Sequence, residues 1–259
     1  MKGLSLKAFE AIERIIKNRF DSVSMRFLGL IPQKSKDKQV IFTTSKDNMI
    51  SLFLQALDSK KPNDVEEQTL KTMMRVASGY LDALRDRSAA KIMHDVDSYV
   101  TTQSLSNNPV SIKKIDEMIN KEMNKAGKHL KLIVNSESNK AANTGTALQI
   151  AKLAEEKKED DPTVFFIVTV DDVTGPEEFV LHLLPDHKTP RLWKLSELGA
   201  EYHKVGDANP KLPGLHPNCR CKLTYLAKGW GFDANGKVKF IGLDHDDFKQ
   251  QREKYGLPR

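Results

Sequence analysis

The sequence predicts an α+β chain, with a helix-rich N-terminal part carrying two long helical arms and a compact strand-rich C-terminal part. Three observations lead there. Between Pro62 and Pro109 apolar residues recur at helical spacing, and a second stretch of the same kind begins after Ser111. Beyond the charged run at 155–161, Thr163-Val164-Phe165-Phe166-Ile167-Val168-Thr169-Val170 is almost continuously apolar, as a strand buried on both faces requires. From Cys219 onward apolar and polar residues alternate, so that Cys219, Cys221 and Leu223 share one face of a further strand.

Composition sets the bounds. A chain of 259 residues, 39% of them hydrophobic, can bury a substantial core in one large or two modest domains. The net charge of +6 suits contact with nucleic acid or an acidic partner without requiring either. Two cysteines do not make a disulfide-stapled secreted scaffold. The opening Met1-Lys2-Gly3-Leu4-Ser5-Leu6-Lys7 lacks the apolar core of a signal peptide, and no apolar run reaches membrane-span length. The expectation is a soluble protein made in a reducing cytoplasm and not inserted in a membrane.

The pattern divides the chain at 1–61, 62–158, 159–226 and 227–259. In the first part, residues 4–18 carry an amphipathic helical stripe, 24–31 and 39–43 read as short strands around a basic loop, and Ser45 caps a helix holding Met49, Ile50, Phe53, Leu54 and Leu57. In the second, Asn63 or Asp64 caps a helix of about 35 residues with Val65, Leu70, Met73, Met74, Ala77, Leu81, Leu84, Ile92, Val96 and Tyr99 on its stripe. Ser106-Asn107-Asn108-Pro109 ends it. The second arm buries Ile112, Ile115, Met118, Ile119 and Met123, breaks near Gly127 and resumes to Lys157. Its outer face carries Lys113, Lys114, Lys121, Lys125 and Lys128, which read either as a phosphate-facing surface or as a solvated face interleaved with acids.

In the third part, Gly175-Pro176 turns the chain so that residues 179–184 return as a hairpin partner of the 163–170 strand. In the fourth, Asn235-Gly236 closes a small hairpin, and Asp244 to Asp247 cap a terminal helix.

Both cysteines lie in Pro213-Gly214-Leu215-His216-Pro217-Asn218-Cys219-Arg220-Cys221-Lys222-Leu223. Two prolines and a glycine fix a turn there. A bridge between Cys219 and Cys221 is disfavoured, because residues two apart in a strand are about 6.5 Å apart with near-parallel side chains. Two readings stand. His216, Cys219 and Cys221 offer the nitrogen and sulfur donors of a structural zinc, with His203 and Asp207 the nearest upstream sources of a fourth ligand. Alternatively, both cysteines are small buried apolar groups and no cofactor is bound.

The run His216-Pro217-Asn218-Cys219-Arg220-Cys221, followed by Lys222-Leu223, resembles the signature that closes the domain of the Mu F-like and SPP1 gp7-like minor head proteins of tailed bacteriophages. Upstream, Ser136-Glu137-Ser138-Asn139-Lys140-Ala141-Ala142-Asn143-Thr144-Gly145 is similar in outline to a second feature of that family, through Glu137, Asn143 and Gly145. The resemblance covers residues 130–226. A cysteine-bearing element that many members carry between the two motifs is missing here. The resemblance implies a non-enzymatic virion component at the portal or inner capsid surface, present in few copies, partnered by portal or major capsid protein and tolerant of nearby duplex DNA. It would act in head assembly or DNA ejection after synthesis in the host cytoplasm.

The phosphate-binding glycine loops, the zinc-protease helix motif and the nucleophile elbow are all missing from the sequence. The alternative function is a zinc-dependent nucleic-acid-processing enzyme built on His216, Cys219 and Cys221.

Overall fold

The computed structural model describes residues 14, 49–59, 61–170, 174–216 and 219–242. Apart from Arg14, which is helical, the expected helix at 4–18, the strands at 24–31 and 39–43 and the terminal helix after Asp244 lie outside the described residues. The chain is α+β: helices dominate its N-terminal part and short antiparallel strands occur in its C-terminal part. It divides into two compact units, one of Met1–Lys46 and Met74–Val134, the other of Asp47–Met73 and Asn135–Arg259. Both arms contribute residues to each unit.

Helix α1, Asp64–Leu105, runs for 42 residues, or about 63 Å. Its start is a reciprocal capping box. The Glu66 amide donates to Asn63 Oδ1 at 3.0 Å, and the Asn63 amide donates to Glu66 Oε2 at 2.7 Å. Val65, expected on the buried stripe, is instead exposed, since it stands in the first turn.

Helix α2, Ile112–Lys157, is unbroken over 46 residues. Gly127 therefore does not end the arm. Its intrinsic cost of about 1 kcal/mol is outweighed by burial of its neighbours Ala126 and Leu130. In the first unit, Leu84, Ile92, Met93, Val96 and Val100 of α1 pack with Ile119, Met123, Ala126 and Leu130 of α2. The alternating steps of four and three along α2 are those of a coiled-coil seam.

In the second unit, Glu66 is buried and pairs with Lys152 Nζ at 2.5 Å. Burial raises the Glu66 pKa, but hydrogen bonds from Lys152 and the Asn63 amide outweigh it and hold the carboxyl below its ordinary value of 4.5. A depressed pKa contributes stability above the unfolded-state value that is lost as pH falls through the folded one. Glu66→Gln should therefore cost about 1–3 kcal/mol at neutral pH, with the gap to wild type closing below the ordinary carboxylate range. Denaturant titrations across that range check it.

Residues 49–56 are helical, with Met49, Phe53 and Leu57 buried as expected. Gly145 of α2 lets this segment approach, since a Cβ there would stand 2.5 Å from the Phe53 carbonyl oxygen.

The sheet is three-stranded, ordered β2-β1-β3 and antiparallel throughout, with β1 Thr163–Ile167, β2 Trp193–Lys194 and β3 Lys222–Tyr225. Central β1 is buried on both faces. Val164 and Phe166 meet Ala147, Ile150, Trp193, Cys219, Cys221 and Leu223 on one side, while Phe165 meets Leu192, Leu226 and Phe232 on the other. The strand ends at Ile167 rather than Val170, and both of those residues are exposed.

Residues 179–184 are not a hairpin partner. Helix α3, Pro176–His182, occupies this place, because Pro176 stands in its first turn and Glu178 reaches back to accept from the Gly175 amide at 2.7 Å. The expected small hairpin is present as β4 Trp230–Phe232 paired with β5 Val238–Phe240, its turn closed by Gly236 at φ +73°.

Candidate functional site

The site is assembled from three places in the sequence that meet on one face of the sheet. The first is the middle of α2, where Glu137, Asn143 and Gly145 are all buried. Asn143 is a clamp. Its Nδ2 donates to the Leu212 carbonyl at 3.1 Å and to the Cys221 carbonyl at 3.1 Å, and its Oδ1 accepts from the Leu223 amide at 3.0 Å. One side chain thus ties both ends of the 212–223 stretch to α2, and Asn139 adds a weaker bond to the Cys221 carbonyl at 3.4 Å. Nearly two turns before Asn143, Glu137 accepts from the Tyr202 hydroxyl, and Lys140 lies 4.9 Å from the centre of the Tyr202 ring.

The second place is the cysteine turn. The Cys219 amide donates to the His216 carbonyl at 3.0 Å and the Gly214 amide to the Lys211 carbonyl at 3.0 Å. Gly214 sits at φ +104°, where a Cβ would also stand 2.8 Å from that of Cys219. The expected alternation holds: Cys219, Cys221 and Leu223 are buried, whereas Arg220 and Lys222 are exposed. Ladder pairing begins only at Lys222. Both thiols are free. Pro217 and Asn218 lie outside the described residues.

The third place is α3, where composition alone predicts a strand and no site role. Glu178 and His182 are four residues apart, hence on one face of the helix, and both are buried. Glu178 Oε1 is the hub. It lies 3.3 Å from Cys221 Sγ, 3.6 Å from Cys219 Sγ and 3.3 Å from His216 Nε2. The carboxylate oxygen and two sulfurs all fall within 4.8 Å of one another. The structure therefore brings His216, Cys219 and Cys221 together around Glu178. His203 and Asp207, the expected sources of a fourth ligand, are engaged elsewhere, with His203 3.8 Å from Asp207 and from Glu177.

The electrostatics follow from burial. A hydrogen bond with Cys221, and then the neighbouring His182, hold the Cys219 thiol well below its ordinary range. The same bond from the other side, with burial and the Glu178 charge, pushes Cys221 up. Burial lowers the pKa of His182. Its ring lies against Phe166, with centres 4.4 Å apart, and neither ring nitrogen has a partner at full hydrogen-bond geometry. The Cys219 sulfur is close enough to act on it.

The signal for Glu178 and His182 lay in Gly175-Pro176-Glu177-Glu178, since proline in the first turn with a glutamate at its third position starts a helix. That reading puts Glu178 and His182 on one face.

Lys113, Lys114, Lys121, Lys125 and Lys128 are all exposed along α2. Acids intersperse them, with Lys114 3.7 Å from Glu117 and Lys125 3.4 Å from Glu122. Among the described residues no helix is long and apolar enough to cross a membrane. Comparison with protein-family models, curated proteins and solved structures finds no match to this chain.

Proposed function

We propose that this chain is a minor head protein of a tailed bacteriophage, acting at the portal or the inner capsid surface in head assembly, DNA ejection or both. The observation that carries the reading is the Asn143 clamp. The two stretches that resemble the Mu F-like and SPP1 gp7-like proteins are remote in sequence, Asn143 and Cys221 standing 78 positions apart, yet they form one buried hydrogen-bonded core. Residues that resemble a family signature and also hold one another in place are supported as a unit; a chance match of six residues needs no such partner.

The mode of action is docking rather than chemistry. Glu178, Cys219 and Cys221 are all buried, which favours a structural over a catalytic role. Portal or major capsid protein is the partner, and the virion is the place of action after synthesis in the host cytoplasm. The exposed lysines of α2 allow non-specific contact with packaged duplex. Duplex affinity should then fall at least about tenfold as salt rises fourfold, and Gln at Lys113, Lys114, Lys121, Lys125 and Lys128 together should flatten the slope. An unchanged slope would leave them as a solvated face.

The function is tested by co-expressing the chain with the portal protein encoded in the same genome. Stable co-purification with the portal ring is the expected result. Failure to associate with either portal or capsid shells would remove the reading.

A further inference from the structure

We propose that Cys219, Cys221, Glu178 and His216 form a structural site for a thiophilic divalent metal, zinc in the first instance, which staples α3 to the cysteine turn. The geometry points there from three sides. For tetrahedral zinc, bonds of about 2.3 Å to sulfur and 2.0–2.2 Å to nitrogen or oxygen set sulfur–oxygen edges of about 3.5 Å and nitrogen–oxygen edges of about 3.4 Å. The corresponding separations are 3.3 and 3.6 Å from Glu178 Oε1 to the two sulfurs, and 3.3 Å from the same oxygen to His216 Nε2. The carboxylate oxygen and both sulfurs lie within 4.8 Å of one another and so supply three vertices of such a figure.

Burial supplies the second argument. A carboxylate and two thiols are removed from water together here, with the imidazole of His216 beside the carboxylate. A buried anion is costly without a partner of opposite charge. A dication meets that need. On binding, whatever protons the two sulfurs and the imidazole still hold pass to solvent, leaving thiolates, carboxylate and neutral imidazole as the donors. Two sulfurs and a nitrogen select zinc over calcium or magnesium, which take oxygen.

The third argument is His182. It is fully buried beside Cys219 with both ring nitrogens lacking a partner at hydrogen-bond geometry, an arrangement that costs free energy unless something meets the ring. A metal held on Cys219 places a charged centre next to that imidazole, whose nitrogen can then orient the thiolate. Two sides of the site come from α3, whose four-residue spacing delivers Glu178 and His182 together. The other side comes from a turn held by Asn143 and opened by Gly214. With four protein donors, three of them buried, the site is closed, as structural zinc requires, and it leaves no open position for a substrate.

The test uses the full chain, purified reduced, stripped with chelator and titrated with Co(II). We expect one Co(II) per chain, a thiolate-to-cobalt charge-transfer band in the near ultraviolet and the intense visible absorption of a tetrahedral centre, with Zn(II) displacing it. Cys219→Ser/Cys221→Ser should abolish the charge-transfer band. Because losing both thiols also disturbs the core, Glu178→Gln and His216→Ala carry the assignment. Each should weaken Co(II) binding at least about tenfold while the circular dichroism of the stripped protein stays that of stripped wild type. Wild-type chain that takes up neither metal at micromolar concentration would overturn the site, and binding unchanged in Glu178→Gln would overturn its ligand set.

Discussion

Asn143→Ala is expected to destabilise the second unit by about 3–5 kcal/mol, the largest loss anticipated from any single polar substitution in the chain. The side chain is buried and makes three bonds, all to backbone: two carbonyls accept from it and one amide donates to it. Truncation leaves the Leu212 and Cys221 carbonyls and the Leu223 amide facing a cavity, each with a desolvation penalty of about 1–3 kcal/mol. Asn143→Asp discriminates among causes. It fills the same space and can still accept from Leu223, but it offers two carbonyls a negative oxygen in place of a donor. If hydrogen bonding rather than volume is what matters, Asp should rescue little. Denaturant midpoints at constant slope measure both, and a loss under 1 kcal/mol for Ala would mean that the clamp is incidental.

Phe166→Ala should cost about 3–5 kcal/mol as well, by a different route. Phe166 is fully buried at the centre of β1, opposite Leu223 in the ladder, and its ring lies on that of His182. The void opens on the cysteine face. Phe165→Ala, on the other face among Leu192, Leu226 and Phe232, removes as much apolar surface without touching the thiols. The pair is thus a controlled comparison. Both variants should lower stability, while only Phe166→Ala should accelerate labelling of Cys219 and Cys221 by a thiol reagent under native conditions. Equal acceleration in both would mean that labelling reports global unfolding rather than the site.

Long periodic segments were legible in the sequence because many residues repeat one message. Both arms, the cap at Asn63, the core strand at Thr163 and the Asn235-Gly236 hairpin read directly from spacing and turn chemistry. Short segments were not. Residues 179–184 have the composition of a strand, and only the proline and glutamate of the preceding four residues oppose it; the cap decides, since seven residues hold little periodic information. The error cost the site two of its members. His216, Cys219 and Cys221 could be named because they are local, whereas Glu178 reaches them across about 40 positions, with 41 to Cys219 and 43 to Cys221. Gly127 shows the converse, since a residue that weakens a helix in isolation is carried by the packing on either side of it.

The role of Asn143 also lay beyond spacing. As part of a motif it could be named, but its partners are backbone groups, which leave no mark on side-chain patterns. The same holds for Gly145 and Gly214, whose missing Cβ atoms admit the Phe53 carbonyl and the Cys219 side chain.

Quantitative mass spectrometry of purified particles, intact and after gentle disruption, decides whether the chain is a minor component of a phage head. The chain is expected in the particles at a few copies, following the portal vertex or the inner capsid fraction. Particles that assemble, package DNA and contain none of it would rule that role out.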